Sequence, residues 1–81
     1  MIGYEYQKEN LKARLMALGM LYGELHPNAE KRNQSWLANE IGISRQTLNQ
    51  VLNGKRNLRI EKKITTRLNR LEEEINKALG E

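Results

Sequence analysis

Residues 34–53, QSWLANEIGISRQTLNQVLN, constrain the fold more than any other stretch of the chain. Apolar residues recur at helical intervals on both sides of Gly42, which predicts two short helices joined by a tight turn. Helices that cross steeply over a short turn bring their backbones together at one point. Ala38 suits that point because a larger side chain would hold the helices apart. Gly42 supplies the backbone geometry of the turn. Asn33 is placed to cap a first helix over about 34–40, and Ser44 to cap a second that runs to about Leu52. Asn53-Gly54 ends the second helix. Leu37, Ile41, Ile43, Leu48, Val51 and Leu52 are its predicted core residues.

The rest of the chain reads as support for this unit. After a loose start at residues 1–3, a helical period begins at Tyr4, and Leu11, Leu15, Leu18, Tyr22 and Leu25 form its stripe. Either Gly23 caps this helix or it continues to Leu25, and His26-Pro27-Asn28 stops it. Gly19 and Gly23 permit a close approach by another helix. Residues 26–33 form a polar connection with a helical turn expected at Ala29–Arg32. Lys55–Leu58 is read as a loop. From about Arg59 to Leu79, the residues Ile60, Ile64, Leu68, Leu71, Ile75 and Leu79 recur at helical spacing. That pattern fits one long helix, or two joined near Thr65-Thr66 with Asn69 and Glu72 as a capping pair. The absence of Gly and Pro favours one. No strand alternation and no repeat is present, so the expected fold is all-α with four or five helices in a single domain, 1–81.

Composition excludes several functions. With 81 residues the chain builds one modest core. It has no Cys and one His, His26, so no thiolate metal site, no disulfide and no Cys–His catalytic pair is expected. Glu72-Glu73-Glu74 point in different directions on a helix and do not converge on one ion. No phosphate loop or nucleophile elbow is present. The reading is therefore of a non-enzyme with no catalytic residues, no metal, no cofactor and no small-molecule ligand. No apolar run is long enough to span a bilayer, and no signal peptide is evident, so a cytoplasmic protein is expected.

The net charge of +4 is unevenly placed. Residues 31–63 carry Lys31, Arg32, Arg45, Lys55, Arg56, Arg59, Lys62 and Lys63 against Glu40 and Glu61, a net of +6. The segments on either side each carry −1. The second short helix has an apolar side, Leu48, Val51 and Leu52, and a polar side, Arg45, Gln46, Asn49, Gln50 and Asn53. The polar side holds no acid, whereas an ordinary solvated helix mixes signs. Amide and guanidinium groups pair with base edges in the DNA major groove, which admits a helix.

The segment resembles the helix-turn-helix of the Cro and phage-repressor family, also called XRE-like or lambda-repressor-like. The resemblance rests on Gln34 at the start of the first helix, Ala38, Gly42, Ser44 at the cap, Leu48, Val51, and Asn53-Gly54 followed by Lys55-Arg56. It covers about residues 33–64. The connection over 24–33 is longer than is usual in that family, and the C-terminal helix is not one of its signatures. The resemblance implies base reading by Arg45, Gln46 and Thr47, with Asn49 and Gln50 facing the groove. It implies phosphate contacts from Gln34, Ser44, Asn53, Lys55, Arg56 and Arg59.

The implied function is a sequence-specific transcriptional regulator of double-stranded DNA, a repressor on a palindromic operator, of phage, plasmid or antitoxin type. It would bind as a homodimer through the major groove. The stripe Leu68, Leu71, Ile75 and Leu79 has the spacing of a dimer seam and could equally close the chain's own core against Leu11, Leu15 and Leu18; the expectation is that Ile60 to Leu68 pack inward and Leu71, Ile75 and Leu79 form the dimer interface. The alternative is a helical module or antitoxin that uses the same fold to bind a protein. The acid-free face argues against it. Trp36 is expected in the core, against the first helix or the last, and Tyr4 and Tyr6 as a surface staple. His26 is expected as a loop residue or cap. Lys62 and Lys63 are either solvated or near a phosphate.

Overall fold

The structure, a computed structural model, describes residues 10–80. The expectations for residues 1–3, Tyr4 and Tyr6 fall outside them. Among the described residues the chain is all-α: α1 Leu11–Leu25, α2 Gln34–Ile41, α3 Arg45–Leu52 and α4 Leu58–Ala78. Its one helix longer than 18 residues, α4, is too polar to cross a membrane.

All four helices begin in the same way. Asn10, Asn33, Ser44 and Asn57 each accept a hydrogen bond, at 3.0–3.2 Å, from the backbone N–H three residues on. Each cap satisfies an N–H that a helix start otherwise leaves unpaired. Asn57 adds a reciprocal bond, its own N–H donating to the Glu61 carboxylate at 3.1 Å. This cap starts α4 at Leu58, so the loop expected over Lys55–Leu58 is one residue shorter. α4 then runs unbroken through Thr65-Thr66. Asn69 and Glu72 cap nothing: both accept from Nη2 of Arg14, at 2.6 and 2.7 Å, and tie α1 to α4.

α1 continues through Gly23 to Leu25, and the His26 N–H closes it on the Tyr22 carbonyl at 2.8 Å. The helical turn expected at Ala29–Arg32 is absent. A turn at His26–Ala29 replaces it, and the chain then crosses α1 at Gly19. A Cβ at Gly19 would lie 2.6 Å from the Arg32 carbonyl oxygen. The close approach therefore serves the connection and not a second helix, and Gly23 faces open space.

The core joins Leu15, Leu18 and Tyr22 of α1, Trp36, Leu37 and Ala38 of α2, Leu48 and Val51 of α3, and Ile64, Leu68, Leu71 and Ile75 of α4. This corrects the assignment of Leu71 and Ile75 to a dimer interface: they are 1% and 2% exposed within a single chain. The cause is geometric. At ~1.5 Å per residue α4 is ~31 Å long, enough to underlie α1 as well as α2. Its distal stripe is covered by α1 and needs no second copy. Of the three residues only Leu79 stays exposed.

Leu71→Ala should lower stability by about 2–5 kcal/mol, the usual cost of a cavity in a packed core. The loss in urea unfolding should be the same across a hundredfold range of protein concentration. A concentration-dependent midpoint would return Leu71 to a subunit interface.

Candidate nucleic-acid interface

The turn between α2 and α3 is built by two residues. Gly42 adopts φ 77°, the left-handed region, and the N–H groups of Gly42 and Ile43 both donate to the Ala38 carbonyl, at 2.9 and 3.0 Å. Ala38, 3% exposed, stands at the helix contact as its small size requires. α3 then buries Leu48 and Val51 and leaves Arg45, Gln46, Asn49 and Gln50 exposed on its other side. Those four predicted base-reading residues share one outward face. Gly54, at φ 118°, turns the chain after α3, and the Lys55 N–H donates to the Gln50 carbonyl at 3.0 Å. That bond folds the basic loop back beside α3.

Four predicted site residues, Ser44, Thr47, Asn49 and Asn53, have side chains hydrogen-bonded within the chain. The Ser44 hydroxyl accepts from the Thr47 N–H at 3.1 Å and donates to Thr47 Oγ1 at 2.9 Å. Ser44 therefore serves as the cap of α3 and its hydroxyl pairs with that of Thr47. Thr47 is half-buried beside that cap, not on the open face. The Asn53 side chain donates to the Asn49 carbonyl at 2.8 Å and to Asn49 Oδ1 at 3.0 Å, and accepts from Lys12 Nζ at 3.0 Å. Asn53 therefore braces α3 where a phosphate contact was expected. Of the other phosphate candidates, Lys55, Arg56 and Arg59 are exposed, and Gln34 is half-buried as the first residue of α2. Arg56 lies 3.7 Å from Glu61 with its side chain 74% exposed, too open and too long a pair to hold it.

The charges of the middle segment are sorted by the fold. Glu40 is paired with α4: its Oε1 accepts from Nε and Nη2 of Arg67, at 3.0 and 2.6 Å. Arg32, counted with the positive segment, is half-buried against two aromatic rings. Its guanidinium carbon lies 4.2 Å from the Tyr22 ring centroid and 5.1 Å from that of Trp36, and Nη2 donates to the Tyr22 hydroxyl at 2.7 Å. Its Nε is buried without a partner. Trp36 is 5% exposed, with Arg67 also 5.1 Å from its ring, in keeping with its expected place in the core.

Lys12 was missed as a member of this site. It belongs to the N-terminal segment of net −1, and nothing local links it to α3. Only the packing of α1 brings its ammonium to the end of α3. A groove of about 420 Å³ lies between α1 and residues 31–34, lined by Leu15, Met16, Gly19, Met20 and Gln34 among others. No protein-family model matches the chain, and the comparisons with curated proteins and with solved structures found no match.

Ser44→Ala should cost about 1 kcal/mol of stability through the lost cap, while Ser44→Asn, an equally good cap, should keep it. Thermal unfolding followed by circular dichroism distinguishes the two. Equal stability in all three proteins would contradict the capping role.

Proposed function

We propose that this chain is a sequence-specific regulator of double-stranded DNA, a repressor that places α3 in the major groove. The observation that supports the reading is the outward face of α3. Arg45, Gln46, Asn49 and Gln50 are exposed together, no acid lies from Ile41 to Ile60, and Lys55, Arg56 and Arg59 are exposed in the segment that follows α3. Arg matches the two acceptors of guanine, and Gln matches the donor–acceptor pair of adenine. Lys55, Arg56, Arg59 and Gln34 would lie along the phosphates and fix the docking angle, which decides the bases read.

A homodimer belongs to this reading. Two copies on half-sites about 34 Å apart add two modest contacts into a useful affinity. Such a protein works where its operator lies, in the cytoplasm. It would bind no small molecule, so control would come through its concentration, a partner or proteolysis.

Titration against a random duplex library across salt tests the reading. Log K should fall linearly with log salt, with a slope of about −0.9 for each phosphate neutralised. Arg45→Ala should cost about 1–3 kcal/mol and relax preference at one base pair. Lys55→Ala should instead weaken all sequences alike and shallow the slope by about one. If Arg45, Gln46 and Asn49 can all become Ala with no change in affinity or preference, α3 is not the reading element. Sedimentation with bound duplex should give two chains per operator.

A further inference from the structure

The hydrogen bonds around Asn53 admit one assignment of its amide. The Lys12 ammonium only donates, so the atom facing it must be Oδ1. The Asn49 backbone carbonyl only accepts, so the atom facing it must be Nδ2. Asn53 is thus fixed from both ends, and the Asn49 side-chain atom 3.0 Å from that Nδ2 must be Oδ1. The result is a directed relay, Lys12 to Asn53 to Asn49, in which the first link joins residues 41 positions apart in sequence.

The relay has a consequence for the exposed face of α3. A surface asparagine ordinarily turns its amide either way and offers a donor or an acceptor. Here Oδ1 of Asn49 is held toward Asn53, and its Nδ2 carries both protons with no partner among the described residues. From this we infer that Lys12 is a positioning residue: through Asn53 it fixes the Asn49 amide with the donor end outward. Resting on the DNA-binding reading above, the inference extends to specificity. Asn49 enters the groove as a donor and favours a base edge that offers an acceptor there, guanine N7 or O6, adenine N7 or thymine O4, over the cytosine edge, which offers only a donor. Lys12 touches no base in this scheme. It acts from α1 on which edge Asn49 accepts.

Two measurements on the full chain test this. In the free protein, side-chain ¹⁵N relaxation should show the Asn49 amide restrained in the wild type and mobile in Lys12→Met, with thermal stability retained. Equal mobility in both would overturn the relay. On DNA, binding-site selection with wild type, Asn49→Ala, Lys12→Met and Lys12→Arg should identify one base pair whose preference Asn49→Ala relaxes. Lys12→Met should relax that same pair by about fivefold and leave the other pairs alone, and Lys12→Arg, which keeps a cationic donor, should restore it. Asn53→Ala removes both links of the relay and should relax the same base pair as Lys12→Met. If Lys12→Met weakens every sequence alike, with the preference at that pair intact, Lys12 is a phosphate contact and the inference fails. Should the wild type select no sequence at all, the DNA-binding reading fails instead, and the relaxation measurement alone judges the relay.

Discussion

The apolar stripe of α4 is what the other elements depend on. Ile64, Leu68, Leu71 and Ile75 are each at most 2% exposed. Full burial of such a side chain is worth about 1.5–3 kcal/mol, whereas a solvent-exposed ion pair is worth about 0.2–1 kcal/mol. Burial therefore holds α1 and α2 onto α4. The pairs Arg14–Glu72, at 2.7 Å, and Arg67–Glu40, at 2.6 Å, then set how those helices are turned about it. α3 is attached differently, with α2 as its main neighbour through Ala38 and Leu48. One side of α3 is anchored and the other is left to solvent, the condition for any element that reads a partner.

The same packing that stabilises the domain also cleans its basic face. Glu40 is the one acid on α2, and Arg67 draws it toward α4. Glu61 is bound by the Asn57 N–H at the start of α4. Arg32 moves the opposite way, into contact with Tyr22 and Trp36, where its charge supports the core. The segment's net charge is therefore a poor guide to the face it presents. What remains exposed after α3 is Lys55, Arg56 and Arg59, with Lys12 of α1 reaching Asn53 at the end of α3.

Much of this was legible from local pattern because local chemistry decides it. A cap is a bond between residues three apart, so Asn33 and Ser44 announced their helices. Gly42 announced its turn because few other residues tolerate a positive φ. The four outward residues of α3 followed from helical period alone. Asn10 and Asn57 obey the same chemistry but were harder to see. Asn57 pairs with a glutamate four positions on, one beyond the usual capping box. The connection over 26–33 was misread because its conformation answers to Arg32 reaching the Tyr22 and Trp36 rings, a demand that local propensity does not contain.

By itself, then, the sequence determined the helices, the turn at Gly42, the crossing at Ala38 and the polar face of α3, since each depends on residues within about one turn of one another. The tertiary structure decided what distance decides. It covered Leu71 and Ile75 with α1, where the stripe alone was equally fit for a second chain. It engaged Ser44, Thr47 and Asn53 internally, though their types suit DNA. It brought Lys12 from a segment of net negative charge to the end of α3. An apolar stripe or a hydrogen-bonding side chain states what it needs but not who supplies it, and the supplier is set by which elements meet when the core closes.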